Sequence, residues 1–306
     1  MASSLFSTIG NKLKDYSIVY SFDRTGFERH ARQFQAINEY NLRDKTFFIT
    51  GGTSGIGEAL ALQLLNVNAK VIVTGRNEDK FRQSTLSDQG AEFIALDLAN
   101  FEEIKNLHLP TIDGLICNAG GMPSSLHIHH NAFDTIFASQ VVGHYILIKR
   151  FISSEKLQPS KPIHITSSGG MYLKKLQLDD LTWTRKPYDK VASYANAKRA
   201  QVILNKELAK QHLNYHFSCS HPGWVRTSAL EEALPDFVQK IGNRLRTPAQ
   251  GADSIIWALA EVTNIPSGKF WFDRKARPTT PFFWTRESYE TRKALIELCE
   301  SYTTLP

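Results

Sequence analysis

Cysteine is scarce. Only Cys117, Cys219 and Cys299 occur in 306 residues, an odd number spread thinly, so the chain has no disulfide framework and no paired metal-ligand spacing. That usage predicts a reducing, cytoplasmic setting. Long apolar runs are missing too. Met1 to Gly10 lacks a charged start followed by an apolar stretch, and nothing approaches the ~20 consecutive apolar residues of a membrane span. A soluble protein is expected. Repeats, low-complexity tracts and Gly/Ser-rich linkers are also absent, which favours one domain over the two that the length admits. Neither sign of charge dominates. The balance of 36 Lys+Arg against 30 Asp+Glu gives +6, which permits an anionic ligand. Without clustered cations it does not argue for nucleic acid.

What is present is an alternating pattern. Residues 1–42 form a polar N-terminal extension with scattered aromatics (Phe6, Tyr16, Tyr20, Phe22, Phe27, Phe34, Tyr40), and Gly26 to Tyr40 fits a short amphipathic helix. From Lys45 onward, strand-type runs alternate with helix-length segments: 45–50, 70–74, 92–96, 113–117, 162–166, 216–220 and 268–272. The longest helical patterns are Gly55 to Leu65, Ala132 to Phe151, Ser193 to Gln211 and Pro248 to Ala260. Seven strands with intervening helices predict an α/β fold, a doubly wound parallel seven-stranded sheet of Rossmann-like type in a single domain over 43–275. Residues 276–306 are read as a C-terminal extension.

Directly after the first strand comes Thr50-Gly51-Gly52-Thr53-Ser54-Gly55-Ile56-Gly57, running into a helix. Glycines there allow a tight turn, a close approach of backbone to a pyrophosphate, and close packing of helix on sheet. The helix amides near Gly55 then face the phosphates. The competing reading is a strand-to-helix turn with no ligand. No Lys-Ser/Thr pair follows the glycines, which disfavours a nucleotide hydrolase. The second strand ends in Val73-Thr74-Gly75-Arg76, where an acid would grip the two ribose hydroxyls of NAD. There is no acid, and the planar fork of Arg76 suits the 2′-phosphate of NADP(H), against the alternative of a solvated surface arginine.

Tyr194 and Lys198 stand four apart on a helical segment and share one face. A phenol titrates near ~10, but a neighbouring ammonium lowers it by roughly 1–3 units, enough for proton exchange with a carbonyl or carbinol oxygen. The strand ending at Thr166 runs into Ser167-Ser168-Gly169-Gly170, which places hydroxyls at the carboxyl end of the sheet, where open α/β sheets bind ligands.

These motifs, in this order, resemble the short-chain dehydrogenases/reductases over roughly residues 43–275. Thr50 to Gly57 resembles the family's T-G-x-x-x-G-x-G, and Asp97 in Leu96-Asp97-Leu98 resembles its acidic residue near adenine. Asn118-Ala119-Gly120 resembles the N-A-G after the fourth strand, and Pro222-Gly223-Trp224-Val225-Arg226-Thr227 the segment closing over nicotinamide and pyrophosphate. The resemblance implies that Ser168, Tyr194 and Lys198 are catalytic and that Lys198 also holds the nicotinamide ribose. It implies cofactor contacts at Gly51, Thr53, Ser54, Gly55, Ile56, Gly57, Arg76, Asp97, Leu98, Asn118, Ala119, Gly120, Pro222, Gly223, Val225 and Thr227. The long insert between Ser168 and Tyr194 is similar to the retinol-dehydrogenase-like branch. A homodimer through helices 132–151 and 193–211 is expected by the same resemblance.

The family's catalytic Asn is replaced by Gln140, whose extra methylene requires a shifted helix. Two readings follow: a carbonyl/alcohol oxidoreductase with a modified proton relay, or a nucleotide-binding scaffold or redox sensor with little turnover. Ser167 competes with Ser168 for the catalytic role. His127, His129 and His130 are read as a solvated loop with no metal, and His144 and His164 as structural. From Lys269 to Arg286 aromatics interleave with cations, which is read either as packing on the sheet edge or a subunit partner, or as a membrane contact that is at most peripheral. Leu230, Leu234 and Phe237 beside Trp224 point to an apolar small-molecule carbonyl or alcohol substrate.

Overall fold

The computed structural model describes residues 21–303; Phe6, Tyr16 and Tyr20 of the expected N-terminal extension lie outside the described residues. All seven expected strands are present: β1 (Thr46–Thr50), β2 (Lys70–Gly75), β3 (Glu92–Ala95), β4 (Gly114–Cys117) and, after a small hairpin of β5 (Ile128–His129) and β6 (Phe133–Asp134), β7 (Pro162–Thr166), β8 (His216–Ser220) and β9 (Lys269–Phe272). They pair in parallel in the order β3-β2-β1-β4-β7-β8-β9. The sheet has an eighth strand that the sequence pattern did not reveal, β10 (Lys275–Ala276), antiparallel on β9. Its turn is Asp273-Arg274, with φ of +48° and +57°. That is the backbone of a two-residue hairpin turn, reached without the Gly that usually signals one.

Strand residues alternate between two apolar layers because side chains on a strand point to opposite faces. Phe47, Ile49, Val71 and Val73 pack under α2 (Gly55–Asn66) and α5 (Pro248–Ala260), with Leu60, Leu64, Ile255 and Ile256. Phe48, Ile72, Leu115 and Phe217 pack on the other side, under α3 (His144–Ser153), α4 (Lys190–Gln211) and α6 (Tyr289–Glu300). The expected helix at Gly26 to Tyr40 is shorter. Helix α1 (Arg24–Ala31) is capped by Asp23, whose carboxylate accepts from Gly26 N, and a separate turn follows at Ile37–Glu39.

The expected helix over 132–151 is interrupted. Phe133 and Asp134 belong to β6, the Asp134 carboxylate caps a short turn at Thr135–Phe137, and Ala138–Gly143 is π-helical before α3 begins. The wide turn presses against the loop after β3, where a Cβ at Gly143 would fall 2.1 Å from the Leu98 carbonyl oxygen. Helix α4 starts three residues before the expected Ser193, because Asp189 accepts from Val191 N and Ala192 N.

The C-terminal segment covers part of the two long helices. Every residue from Ala195 to Asn205 on α4 is buried within the single chain. Helix α6 lies across α3 and α4, with the Tyr145 hydroxyl on Glu300 Oε1 at 2.7 Å, Lys149 on Glu300 at 3.1 Å and Arg292 on Glu207 at 3.2 Å. The aromatic segment divides: Phe270, Trp271 and Phe272 are buried in the sheet edge, whereas Phe282, Phe283 and Trp284 are exposed.

Arg199 holds the C-terminal segment in place from inside the protein. Its Nη2 donates to Glu287 Oε2 at 2.7 Å and to the Thr285 carbonyl at 2.8 Å, and its Nη1 donates to the Thr279 carbonyl. Both members of the pair are buried. Removing one leaves the other charged and uncompensated, so Glu287→Ala is expected to cost about 3–5 kcal/mol, read as a shift of the urea midpoint.

Candidate active site

The strand order reverses between β1 and β4, and the cleft beyond their carboxyl ends is where an open α/β sheet binds its ligand. The glycine loop occupies that point. Gly51 has φ +63°, and a Cβ there would lie 2.7 Å from Ala119 Cα; at Gly57 it would lie 2.2 Å from the Gly51 carbonyl oxygen. The loop is therefore pressed flat against the Asn118-Ala119-Gly120 turn. Helix α2 begins at Gly55, and its N-cap Ser54 makes no side-chain cap bond.

Thr50 fastens this arrangement. Its Oγ1 accepts from Asn118 N at 2.9 Å and Ala119 N at 3.0 Å. With both lone pairs used, the hydroxyl donates to His144 Nε2 at 2.9 Å, and His144 Nδ1 donates to the Gln140 carbonyl at 3.0 Å. His144 is buried, which drives its pKa down to about 3 and keeps the ring neutral, as this chain of bonds requires. The sequence reading left Thr50 unassigned and made His144 merely structural; the four-residue step from Gln140 to His144 was the available signal.

The other expected cofactor residues lie along the same edge. Thr53 lies against Gly75, where an added Cβ would meet its Oγ1 at 3.1 Å. Arg76 follows at the end of β2, exposed, with no ion pair among the described residues. The Asp97 carboxylate accepts from Ala99 N at 2.9 Å, shaping the turn beside buried Leu98. Asn118 Nδ2 donates to the Thr50 and Gly51 carbonyls. The segment from Pro222 to Thr227 folds over the loop: a Cβ at Gly55 would sit 3.0 Å from Thr227 Cγ2, and one at Gly251 would meet both Val225 and Ile56.

Tyr194 and Lys198 share a face of α4, with Lys198 Nζ 5.2 Å from the centre of the Tyr194 ring and donating to the Thr166 carbonyl at 3.0 Å. Ser168 Oγ accepts from Gly170 N at 3.3 Å and stands near enough to the Tyr194 phenol to act on its pKa, whereas Ser167 Oγ is spent on the Lys198 carbonyl at 2.8 Å. The two serines thus divide: Ser168 faces the phenol and Ser167 braces the helix. Gln140 stands in the π-helical turn. Its Nε2 donates to the Gly121 carbonyl at 2.7 Å, and its Oε1 is buried without a hydrogen-bond partner. A Cβ at Gly120 would lie 3.4 Å from that Oε1 and 3.5 Å from Lys198 Nζ. Gly120, Gln140 and Lys198 therefore converge. An orphaned acceptor here and a flat glycine cradle beyond it suit a nucleotide with hydroxyl-bearing sugars.

Supporting contacts explain the placement. Asp134 Oδ2 accepts from Ser193 Oγ at 2.7 Å and Trp183 Nε1 at 2.6 Å, fixing the start of α4 beside Tyr194. His221 Nδ1 accepts from Gly169 N at 3.1 Å and Gly223 N at 3.2 Å, joining the Ser168 turn to the Pro222 segment. Phe22 packs against His221 with ring centres 4.3 Å apart, and its carbonyl accepts from Trp224 N at 2.8 Å. His129 and His130 make separate local bonds to Thr135 and the Ala99 carbonyl, and no group of three metal-ligating side chains occurs among the described residues. His164 bonds Ser218 and Ser220, both at 2.8 Å.

Over 296 residues, 91% of this chain and 93% of the relative, the sequence is 33% identical to dehydrogenase/reductase SDR family member 12 of Bos taurus. The chain belongs to the short-chain dehydrogenase/reductase family. The family model described as short chain dehydrogenase matches residues 45–177. Retinol dehydrogenase 14 of Homo sapiens is 26% identical over 275 residues, 78% of this chain and 81% of that one. Among solved structures, an uncharacterized protein from Mycobacterium paratuberculosis has the same fold, with a TM-score of 0.71 at 21% identity over 88% of this chain and 97% of that one. Family membership makes the chain an oxidoreductase that uses NAD(P) to interconvert a carbonyl and an alcohol on a small molecule. Among the described residues no helix is long and apolar enough to cross a membrane.

The electrostatics correct one expectation. The phenol is not depressed: burial raises the Tyr194 pKa, with the nearby Ser168 hydroxyl opposing it, and burial pulls Lys198 down to about 7. Both groups are pushed towards their neutral forms because the low-polarity site disfavours either charge. For Lys198 the folded value of about 7 lies below the ordinary 10.5, so between these limits the unfolded chain binds more protons and stability rises with pH. The melting temperature without nucleotide is expected to climb from pH 7 towards pH 10 more steeply than that of Lys198→Met, which lacks the group. Parallel curves would contradict the assignment.

Proposed function

We propose that the chain is an NADP(H)-dependent carbonyl reductase or alcohol dehydrogenase acting on an apolar small molecule. The observation that carries this reading is buried Lys198, its Nζ 5.2 Å from the Tyr194 ring centre and bonded to the Thr166 carbonyl, with Ser168 beside the phenol at the carboxyl end of the sheet. We assign the nucleotide-binding unit to residues 43–275, flanked by the two extensions.

NADP(H), when bound, supplies or accepts the hydride. Tyr194 Oη gives a proton to the substrate oxygen in reduction and takes one in oxidation, while Ser168 orients that oxygen. Lys198, charged once it faces ribose hydroxyls and the phenol, favours the phenolate and holds the sugar. Gln140, whose Nε2 is bound to the Gly121 carbonyl, offers Oε1 as acceptor to a proton relay on the Lys198 side. Gly51, Thr53, Ser54, Gly55, Ile56 and Gly57 present amides to the pyrophosphate. Arg76 pairs with the 2′-phosphate, and Asp97 and Leu98 flank adenine. Asn118, Ala119 and Gly120 line the cleft floor, and Pro222, Gly223, Val225 and Thr227 close over nicotinamide. Trp224 packs against Phe237 at 5.2 Å between ring centres, giving the substrate side an apolar wall.

Two measurements test the reading together. NADPH is expected to bind more tightly than NADH, and Arg76→Ala to lose about tenfold or more for NADPH alone, as for a charge-assisted hydrogen bond; equal affinities in the wild type would remove NADP(H). Against a panel of apolar carbonyls, Tyr194→Phe is expected to lower kcat by about 10²–10⁴-fold with NADPH affinity retained. Tight NADPH binding with no turnover of any carbonyl or alcohol would favour the scaffold reading.

A further inference from the structure

Phe282, Phe283 and Trp284 form a turn on the outside of the molecule, 41%, 85% and 59% exposed. Phe282 stacks on Trp284 at 4.8 Å, and Phe283 meets it edge-on at 5.1 Å. Contiguous exposed apolar patches mark interaction sites. The turn is firmly seated. Thr285 behind it is fully buried, its carbonyl takes the Arg199 bond at 2.8 Å, and its hydroxyl donates to the Phe282 carbonyl at 2.8 Å.

The residues on either side of the turn, Thr279, Thr280 and Arg286, join Lys206 and Arg292 in lining a cavity of about 120 Å³. Liquid water takes about 30 Å³ per molecule, so the space admits a phosphate group. Its charge is unbalanced. Glu287 is engaged by buried Arg199, and Glu207 is shared between Arg292 and Lys210. Lys206 and Arg286 have no ion-pair partner among the described residues. Guanidinium forks and threonine hydroxyls around one cavity suit phosphate oxygens.

We propose that this is a membrane-docking surface: the Phe282–Trp284 turn enters the interface of a bilayer, and the Lys206/Arg286/Arg292 cavity takes the phosphate of an anionic lipid headgroup. Aromatic side chains settle at the headgroup level of a bilayer, and cations beside them add attraction to its negative surface. A protein partner fits less well, since the core of a protein interface is depleted in charge and in lysine particularly. The surface also adjoins the catalytic side of the molecule. The Tyr172 hydroxyl donates to the Pro278 carbonyl at 3.1 Å, and Tyr172 lies in the turn that directly follows Ser168.

Flotation of the full chain with phosphatidylcholine vesicles, with and without phosphatidylserine, tests the assignment. The chain is expected to float with the phosphatidylserine vesicles at low salt and not with phosphatidylcholine alone. Lys206→Gln and Arg286→Gln should each lower partition about fivefold, Arg286→Lys should retain it, and Phe283→Ser with Trp284→Ser should abolish it. Melting temperatures should stay at the wild-type value, because the replaced side chains are exposed. No flotation, equal flotation on both vesicles, or variants that float like wild type would overturn the proposal. So would two other results without flotation: a melting temperature raised by inorganic phosphate, which would mark a soluble-anion site, or a dimer abolished by Trp284→Ser, which would mark an interface between copies.

Discussion

The hydroxyl of Thr50 sits where the sheet changes direction, and the geometry of the cleft depends on it. It accepts two backbone amides from the end of β4 and donates to His144, which donates to the carbonyl of Gln140. One side chain therefore sets the glycine loop, the Asn118 turn and the π-helical turn relative to one another. The links from Thr50 to His144 and from His144 to Gln140 are buried, and in a medium of low polarity such a chain is rigid because any break leaves an unpaired group. The same burial keeps His144 neutral, so the network holds its form across the ordinary pH range.

That rigidity matters because the neighbouring pair is not at electrostatic rest. Burial lifts the Tyr194 pKa and lowers that of Lys198, so both prefer to be neutral in the chain as folded. A phenol tuned by a lysine needs that lysine charged, and a buried ammonium is costly unless hydrogen-bond acceptors surround it. The Thr166 carbonyl supplies one acceptor. On the proposed reading the rest come from groups that enter the cleft, which links proton transfer by Tyr194 to ligand binding through a single charge.

Much of this was legible in the sequence because it is local. Strand-length apolar runs, the glycines of the loop, the four-residue step from Tyr194 to Lys198 and the Ser-Ser-Gly-Gly turn each act within a few residues of themselves. What stayed hidden depends on contacts distant along the chain. Periodicity could not show that Asp134 ends a hairpin and caps a turn, so Ala132 to Phe151 read as one helix. Strand β10 turns on Asp273-Arg274, a pair held in left-handed backbone by ion pairs to Arg246 and Asp253 rather than by glycine. The choice between Ser167 and Ser168 is one of register in the sequence, which carries no sign of the bond from Ser167 Oγ to the Lys198 carbonyl.

Arg199 shows why the two ends of the chain cannot be treated as appendages. It follows Lys198 directly, so the helix that turns a lysine towards the cleft turns an arginine towards the C-terminal segment one position later. Through Glu287, Thr285 and Thr279 that arginine fastens the segment carrying the exposed aromatic turn, while its Nη1 also reaches Met171 Sδ at 3.6 Å, in the turn after Ser168. At the other end, the Phe22 carbonyl takes bonds from Trp224 N and Arg246 Nε, and its ring presses on His221, which ties Gly169 to Gly223. Both flanking segments therefore bear on the Ser168 turn, one through an arginine and one through a histidine. The turn has glycines on its far side and little stiffness of its own. Its position is set by what packs behind it, and in this chain that packing is supplied by residues before 43 and after 275.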